Sequence, residues 1–486
     1  MKVSINQVNV SRVGINTARI QRIRLGSASK GGQTSPFHPS LVDYWNFKGK
    51  SNFDKDRNTI KGIKGEILTA YNFGWSLGSG YGLFKENFND YVSFDGERGN
   101  FTLTDNSIHI TEILKPFLKF ITQQTIVSNS YKVKVSGLTD DIDLVFNGAI
   151  SLDPIKEVTI KLVNGINDIP VTVAWGGFQT VKFTGKCDIT IQQIPEYEGA
   201  IVTDGVDDYL KLDKVGYKIS TVILKYNTIN IKPNIVNSIL NVHTDEVLLQ
   251  YDVAGNITSN FTTSNFYGDY NVRTFNIAKN AITPLTLGCK LSNSGSSMEY
   301  SNMALYDIAI YQDVLTAEEI QKEINVMEYG TPNPVFALNF DNFAYKAVDY
   351  PDFATGKVTT NKIVVDSTTE TFNGAIAVAM NPEADTGEPI EVPSYKIKVT
   401  GLNQYSVGEG NWAVGLMGMM IDSTKEPWTY PIYKDGVYDI PAISLSDRIY
   451  NLGIMAQIAI DKPIGIEVLY DKNVTKSFPE NKQIFP

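Results

Sequence analysis

The feature that most constrains the fold is an internal repeat of short alternating segments. "SYKVKVSGL" at 130–138 recurs as "SYKIKVTGL" at 394–402, and each alternates apolar with polar residues before a glycine turn. Alternation with a period of two is the pattern of a half-buried β-strand. Two further matches follow the same order: "VNGINDIPVTV" (163–173) with "KDGVYDIPAIS" (434–444), and "YNFGW" (71–75) with "DNFAY" (341–345). Because three matches keep their order at similar spacing, the repeat predicts two copies of one β module.

The composition agrees with a β-rich globular chain. Of 486 residues, 42% are hydrophobic and 20% are charged, which is enough apolar content to build packed cores. Twenty-five Tyr and 23 Phe residues favour strands. Gly, Pro, Asn-Gly and Asp-Gly turns separate the short segments, as in β-sandwiches. The length allows about three domains, and we predict an all-β fold.

One segment of the middle region, 315–330, breaks the β pattern. Thr316 with Glu319 three residues later forms a capping box, which starts a helix, and Gly330 ends it. The apolar positions between them share one face: Ile320, Ile324 and Met327. We therefore predict a short helix that lies on a β-sandwich as a closing strap.

The middle region also resembles concanavalin A-like, laminin-G-type lectin domains. Three segments carry the resemblance: "MALYDIAIYQDVLTAEEIQKEI" (303–324), "LVDYWNFKGKSNFDKDRNTIKGIKGEILTAYNF" (41–73) and "GAIVTDGVDDYLKL" (199–212). They are similar to the closing strand with its helix, the opening strand with its loop, and a turn into the next strand. The resemblance implies a jelly-roll sandwich with a short C-terminal helix. It does not specify a ligand, because this fold serves lectins, hydrolases and inert scaffolds.

The repeat and the resemblance together divide the chain. The lectin-like domain is expected to be discontinuous because the first repeat module is inserted into it. The predicted parts are a basic arm at 1–40, a lectin-like domain at 41–72 and 196–330, an inserted β-sandwich module at 73–195, and a related C-terminal β-sandwich module at 331–486.

The N-terminal arm is basic, whereas the rest of the chain is acidic. No acidic residue precedes Asp43, but six of the 43 Lys and Arg residues do. All 53 Asp and Glu residues lie from Asp43 onwards, so that part carries a net charge of −16 against +6 for the arm. This layout is typical of a segment that docks on an acidic surface, and the alternative is a frayed terminus. The arginines expected to dock are Arg12, Arg19, Arg22 and Arg24.

The combination of a basic arm, a split lectin-like domain and repeated modules resembles virion proteins of crAss-like bacteriophages. Within that group the similarity is greatest to head-fibre proteins that decorate the capsid. The resemblance implies a virion protein made in the host bacterial cytoplasm, docked on other virion proteins through residues 1–40, and assembled as a homo-oligomer. The alternative is a tail fibre or receptor-binding adhesin that recognises carbohydrate on the host surface or in mucin.

An acidic stretch, "EYEGAIVTDGVDDYLKLD" at 196–213, raises the question of a metal site. An EF-hand starting at Asp204 fails, because its third, sixth and twelfth positions are Val206, Tyr209 and Val215. The prediction is an Asp-Gly turn that leads into a strand, with its acidic side chains in solvent. The alternative is a looser Ca²⁺ site, whose ligands would be Asp204, Asp207 and Asp208.

A second candidate site lies in "NFTTSNFYGDYN" at 260–271, where aromatic and polar residues are close together. Aromatic faces beside Asn and Asp side chains suit a sugar. Packing of the same aromatics in a hairpin tip or subunit contact is the alternative. The candidate carbohydrate contacts are Phe266, Tyr267, Asp269, Tyr270 and Asn271.

Other functional classes lack their sequence signatures. The chain has no P-loop, Gly-x-Ser-x-Gly, His-Glu-x-x-His or Glu-x-Asp-x-x-Glu motif, so we predict that it is not an enzyme and needs no cofactor. Two cysteines are too few for a disulfide framework. Residues 1–30 have no aromatic side chain to stack on bases, which argues against a nucleic-acid partner. No apolar run reaches the ~20 residues of a membrane helix, and the N-terminus lacks the apolar core of a signal peptide.

Overall fold

The protein is described by a computed structural model in which antiparallel β-sheets dominate. Among the described residues there is one α-helix, and the predicted all-β sandwich class is confirmed. The described residues are 3–5, 8–10, 35–94, 99–122, 130–243, 246–258, 263–267, 269–281, 283–291, 297–340, 354–368, 374–380, 390–405, 414–421, 428–445, 449–456, 460–475 and 477.

The strands are numbered in chain order. The first six are β1 (Val3–Ile5), β2 (Val8–Val10), β3 (Leu41–Asn46), β4 (Thr59–Lys61), β5 (Ile67–Tyr71) and β6 (Gly80–Tyr81). The next ten are β7 (Tyr91–Phe94), β8 (Gly99–Leu103), β9 (Ser107–Ile113), β10 (Lys119–Thr122), β11 (Tyr131–Ser136), β12 (Asp143–Leu152), β13 (Ile155–Lys161), β14 (Gly165–Ile169), β15 (Gly176–Val181) and β16 (Gly185–Ile194). Then follow β17 (Ile201–Val202), β18 (Tyr209–Leu212), β19 (Lys218–Asn230), β20 (Asn237–His243), β21 (Glu246–Tyr251), β22 (Ile257–Thr258), β23 (Thr263–Tyr267), β24 (Tyr270–Asn280), β25 (Leu285–Leu287), β26 (Lys290–Leu291), β27 (Ser297–Met298), β28 (Asn302–Tyr311) and the helix α1 (Ala317–Tyr329). The last are β29 (Ala354–Val358), β30 (Lys362–Thr368), β31 (Gly374–Met380), β32 (Ile390–Val392), β33 (Tyr395–Thr400), β34 (Val414–Ile421), β35 (Trp428–Ile432), β36 (Gly436–Ile440), β37 (Ile443–Leu445), β38 (Ile449–Ala456) and β39 (Ile464–Val468).

Two seven-stranded antiparallel sheets form a sandwich in the middle of the chain, which we call the central sandwich. One sheet runs β23-β24-β19-β28-β17-β6, with β3 also paired to β28, and the other runs β22-β21-β20-β25-β18-β5-β4. Both sheets combine strands from 41–81 with strands from 201–311, so the central sandwich is discontinuous in the sequence. Its buried core includes Trp45, Phe47, Ile60, Leu210, Leu224, Phe275 and Leu287.

A buried carboxylate fixes the first strand of the central sandwich to the loop after β4. Asp43 in β3 is fully buried, and its Oδ1 accepts hydrogen bonds from the backbone N–H groups of Tyr44 and Lys64, both at 2.8 Å. Its Oδ2 accepts a third from the N–H of Glu66 at 2.8 Å. Gly62 packs against this carboxylate, where a Cβ would overlap with it. The loop is therefore held by one side chain that takes three backbone donors.

The helix lies on the outer face of the first sheet, as the sequence predicts. Thr316 and Glu319 form both hydrogen bonds of the capping box, and Gly330 ends the helix with a φ of 75°. The apolar stripe packs on a second core whose buried members include Tyr44, Ile223, Tyr270, Val272, Tyr311, Ile320 and Ile324. Both faces of the first sheet are thus covered, one by the second sheet and the other by α1.

Strands β7–β16 and β29–β39 form two modules with the same topology. The first has sheets β14-β11-β16-β9-β8 and β13-β12-β15-β10-β7. The second has sheets β36-β33-β39-β30-β29 and β35-β34-β38-β31. Nine strands correspond one to one in the same chain order, with the small sheet β32-β37 added in the second module. Each module has its own apolar core.

The repeated "SYK" segments occupy the same position in the two modules. β11 and β33 share a strictly alternating burial pattern, with every second residue buried. Tyr131 pairs with Ile169 as Tyr395 pairs with Ile440, at equivalent places in the register. The predicted repeat is therefore a repeat of structure over these strands. The third sequence match, at 341–345, lies outside the described residues.

Equivalent glycines follow these strands. Gly137 has a φ of +85°, and a Cβ there would overlap with the backbone oxygen of Asp188. Gly401 has a φ of +89°, and a Cβ there would overlap with the backbone oxygen of Pro463. Both conditions, a left-handed backbone and a close backbone neighbour, exclude other residues from the two turns.

The chain passes between the central sandwich and the first module through two short segments that run side by side, which we call the neck. The N–H of Gly82 donates to the carbonyl of Ala200 at 2.9 Å, and the N–H of Tyr197 donates back to Gly82 at 2.8 Å. The N–H of Glu196 donates to the carbonyl of Leu83 at 3.0 Å. Because β6 pairs with β17, residues 73–81 still lie in the central sandwich, and the chain leaves it at Gly82 instead of the predicted residue 73.

Candidate functional site

The acidic loop between β17 and β18 brings three carboxylates together. One ligand oxygen from each of Asp204, Asp207 and Asp208 lies within 4.8 Å of the others. The Oδ1 of Asp204 accepts hydrogen bonds from the N–H groups of Val206 at 2.7 Å and Asp207 at 3.3 Å. The Oδ2 of Asp208 accepts one from the N–H of Asp204 at 2.9 Å. The loop is thus a tight turn, as predicted, but its acidic side chains converge.

The surroundings of the loop come from distant parts of the chain. The Nδ2 of Asn72 donates to the carbonyl of Asp207 at 2.9 Å, and the Nδ2 of Asn302 donates to the carbonyl of Asp204 at 3.2 Å. Lys232 donates to the carbonyl of Gly205. The buried Oδ1 of Asn302 has no hydrogen-bond partner in the described part of the chain.

The placement of Asp208 differs from the prediction that it lies in solvent. Its side chain is fully buried, and its Oδ1 has no hydrogen-bond partner in the described part of the chain. Burial raises its pKa to about 6, although the nearby Ser79 hydroxyl and the hydrogen bond from Asp204 oppose this shift. A buried carboxylate oxygen beside two more carboxylates favours a hard cation with oxygen ligands, such as Ca²⁺. Proximity of Asn302 to this loop could not be predicted, since nearly 100 residues separate them.

We expect Ca²⁺ to stabilise the protein in a pH-dependent manner. At a Ca²⁺ concentration 100-fold above the dissociation constant, the unfolding free energy should rise by about 2.7 kcal/mol at pH 7.5. The gain should shrink below pH 6, because protons then compete for Asp208. Thermal unfolding with and without Ca²⁺ at both pH values checks this.

The matched variants are Asp208→Asn and Asp213→Asn. Asp213 is exposed and paired with Lys211 at 2.7 Å, so Asp213→Asn should keep the Ca²⁺ response. Asp208→Asn should lose it. The raised pKa of Asp208 also makes stability depend on pH without Ca²⁺. The folded state binds the proton more tightly than the unfolded state, so the stability of wild type should fall as pH rises from about 4 to about 6. Asp208→Asn should not show this fall. An equal Ca²⁺ response in both variants would exclude the site.

The candidate carbohydrate residues do not form an exposed aromatic loop. β23 and β24 pair through this region, with Phe266 opposite Asn271 and Tyr267 opposite Tyr270. Tyr270 is only 2% exposed and packs beneath α1, and Asn271 is only 3% exposed. These two are therefore not surface contacts for a sugar. Asp269 is exposed, and the side chains of Phe266 and Tyr267 are outside the description.

Tyr270 instead belongs to a polar cluster at the edge of α1. Its hydroxyl donates to the Oδ2 of Asp307 at 3.5 Å, and that of Tyr44 donates to Oδ1 at 2.6 Å. The Nζ of Lys225 lies 5.0 Å from the centre of the Tyr270 ring and 3.6 Å from the carboxylate of Glu328. Burial raises the pKa of Asp307 and of Glu328. This cluster joins the sheet to the helix.

The basic arm is anchored at its root. Phe37 packs on the ring of Tyr44 at 5.2 Å, and the N–H of His38 donates to the Oε1 of Glu323 at 2.9 Å. Glu323 is buried in α1, and its Oε2 accepts from the hydroxyl of Tyr311 at 2.7 Å. The chain is thus fixed beside α1 at Phe37 and His38. Within the arm, β1 pairs with β2.

The predicted docking arginines fall outside the described residues. They are Arg12, Arg19, Arg22 and Arg24. In the described part of the chain, no helix has the length and apolarity to cross a membrane.

Comparisons with known proteins show no family. No protein-family model and no curated protein matches the chain. One solved chain, from the atomic structure of Sulfolobus Turreted Icosahedral Virus, aligns over 90% of this chain and 98% of its own length at 11% identity, with a TM-score of 0.13. A TM-score of this size does not indicate a shared fold. What the described residues define is an all-β protein of antiparallel sandwiches with one strapping helix.

Proposed function

We propose that this chain is a bacteriophage virion structural protein, a head fibre or decoration protein attached to the capsid through residues 1–40. The observation that carries the proposal is the separation of charge, +6 before Asp43 and −16 from there onwards. A basic segment on an acidic body is attracted to an acidic partner surface, while the bodies of neighbouring copies repel each other outside specific contacts.

The anchored root supports an attachment role for the arm. Because Phe37 and His38 are fixed on Tyr44 and Glu323, a docked arm would hold the body at a defined place instead of through a loose tether. The two matching modules supply further rigid β-surface for contacts between copies. The proposal includes no catalytic activity and no cofactor other than the Ca²⁺ expected at the acidic loop, and in it the protein is part of the virion as a homo-oligomer.

Deletion of residues 1–34 tests the proposal. We expect the deleted protein to lose co-sedimentation with capsids or capsid-protein assemblies, because the docking charges are gone. Its thermal unfolding midpoint should stay within about 1 °C of wild type, because the cores of the central sandwich and both modules begin after residue 34.

A quadruple variant separates charge from chain length: Arg12→Gln, Arg19→Gln, Arg22→Gln and Arg24→Gln. It should weaken attachment and reduce its salt dependence, since screening acts on exposed charges. Attachment that survives the deletion would contradict the docking role. If wild type and the deleted protein both bind a glycan array, and wild type does not attach to capsids, the result would instead support an adhesin.

A further inference from the structure

The interior of the central sandwich contains a cation for which the described residues supply no counter-ion. Arg273 in β24 is 3% exposed, and its Nε and Nη2 have no hydrogen-bond partner in the part of the chain that the structure describes. It pairs with Val222 in the register, and Val222 belongs to the core between the two sheets. The guanidinium therefore points into that core, away from α1. Burying an unpaired charge costs several kcal/mol, so the position calls for a partner.

Two neutral phenols of the described residues lie near Arg273. The phenols of Tyr226 and Tyr251 are the groups that interact electrostatically with it. Burial raises the pKa of Tyr226, so this phenol carries no charge at neutral pH. The Tyr251 hydroxyl accepts a hydrogen bond from Thr228 at 2.9 Å, which leaves its own proton to donate. Among the described residues, no carboxylate forms an ion pair with Arg273.

A second unsatisfied group lies two residues away on the same face of the strand. Asn271 is 3% exposed, and neither its Oδ1 nor its Nδ2 has a hydrogen-bond partner in the described part of the chain. It pairs with Leu224, which also belongs to the core between the sheets. Residues two apart on a strand point to the same side, about 7 Å apart. Two side chains on one face of β24 thus carry four polar atoms that have no hydrogen-bond partner among the described residues.

The free atoms of Arg273 match a particular chemistry. Its Nε–H and Nη2–H lie on one edge of the planar guanidinium and point in the same direction, which is the arrangement that grips two oxygens of one anion. The Nδ2 of Asn271 and the hydroxyl of Tyr251 add neutral donors. Arg273 and Asn271 also lie near one edge of the central sandwich. Their strand, β24, neighbours β23, the edge strand of the first sheet, and only four residues join β23 to β22, the edge strand of the second sheet.

We propose that Arg273 and Asn271 form a binding site for an oxyanion, a carboxylate or phosphate-type group with two acceptor oxygens, between the two sheets of the central sandwich. Arg273 supplies the paired donors and the charge, and Asn271 and Tyr251 complete the donor set. The site is distinct from the acidic loop and does not depend on the proposed virion role. The experiment below distinguishes two sources of the oxyanion, a free inorganic ion and the acidic group of a saccharide.

The test uses thermal unfolding of the full chain in the presence of four sodium salts at constant ionic strength against NaCl. The probes are phosphate, sulfate, acetate and glucuronate at 50 mM. A ligand present at 50-fold its dissociation constant should raise the midpoint by about 5 °C or more. A response to phosphate and sulfate alone identifies a tetrahedral ion, and a response to acetate and glucuronate identifies a carboxylate. A response to glucuronate but not acetate identifies an acidic saccharide.

Variants locate the response. Arg273→Met should abolish it, and Arg273→Lys should weaken the apparent affinity at least ten-fold, because lysine keeps the charge but not the fork. Asn271→Leu, which leaves the charge in place, should also weaken it. Arg57→Met is the matched control: Arg57 is exposed, with Nη1 2.8 Å from the carbonyl of Asn52, and its removal should leave the response unchanged.

Stability without added oxyanion provides a second readout. Removing an unpaired buried cation should leave Arg273→Met at least as stable as wild type in chloride. A merely structural arginine would instead make Arg273→Met less stable in every salt. The proposal would be overturned if none of the four salts shifts the midpoint of wild type by more than 1 °C. It would also be overturned if the shifts were equal in wild type and Arg273→Met.

Discussion

Replacing Gly137 with alanine is expected to destabilise the first module by about 4 kcal/mol. Roughly 1–2 kcal/mol comes from forcing an L-residue to a φ of +85°. A further 2–3 kcal/mol comes from the overlap of the new Cβ with the backbone oxygen of Asp188, which only a backbone shift can relieve. Urea unfolding of the full chain should show an early transition for this module.

The equivalent substitution, Gly401→Ala, should do the same to the second module. Its Cβ would overlap with the backbone oxygen of Pro463 at a φ of +89°. Gly216→Ala is the matched control, because Gly216 has a φ of +78° but no atom within 4 Å of its Cβ position. It should cost only about 1 kcal/mol. If Gly137→Ala and Gly401→Ala cost no more than Gly216→Ala, the close approach of the two backbones would be disproved.

Replacing Asp43 with alanine is expected to cost the central sandwich about 4 kcal/mol. The variant leaves three backbone N–H groups, those of Tyr44, Lys64 and Glu66, without the carboxylate that accepts them. Each lost partner in a buried site costs about 1–3 kcal/mol, and water entering the space would recover part of the sum. Chemical denaturation that follows the sandwich tryptophans measures the loss.

Two further variants calibrate this result. Asp43→Asn keeps one acceptor oxygen but turns an amide NH₂ towards the backbone donors, so about half of the loss is expected. Asp54→Ala removes an exposed carboxylate that accepts a single N–H, that of Ser51 at 2.9 Å, and should cost less than about 1 kcal/mol. An Asp43→Ala protein as stable as Asp54→Ala would show that the three hydrogen bonds do not hold the loop.

Local patterns in the sequence predict the local structure well. The alternation in "SYKVKV" and "SYKIKV" gives the strands β11 and β33 because half of each strand faces a core and half faces solvent. The helix is predicted to within two residues, because capping acts within one turn, between Thr316 and Glu319. Both signals depend on neighbours along the chain and need no knowledge of the rest of the fold.

The candidate sugar site shows where this reasoning fails. The first half of β24, Tyr270–Arg273, alternates apolar with polar residues as if one face met solvent, but one of its faces lies under α1 and the other faces the second sheet. Its Tyr, Asn and Arg residues therefore read as a surface loop, although Tyr270, Asn271 and Arg273 are all buried. A sequence shows polarity but not how many layers cover a strand.

Long-range partners are equally hidden. The converging carboxylates at Asp208 and the three donors at Asp43 depend on loops that meet only after the two sheets pair. The fold class and the repeat were accessible because they need only periodicity and self-similarity. The geometry of the sites was not, since it depends on which strands become neighbours.

The neck has a mechanical consequence. The first module joins the central sandwich through two segments that lie side by side and are bonded to each other at Gly82, Leu83 and Glu196–Ala200. Tension applied between the arm and the C-terminal module would run through the sandwich and cross the neck by these hydrogen bonds. The 112 residues between Leu83 and Glu196 would carry no load until the neck opened. The first module would thus stay folded under tension until the hydrogen bonds of the neck break, and only then could its unfolding lengthen the chain.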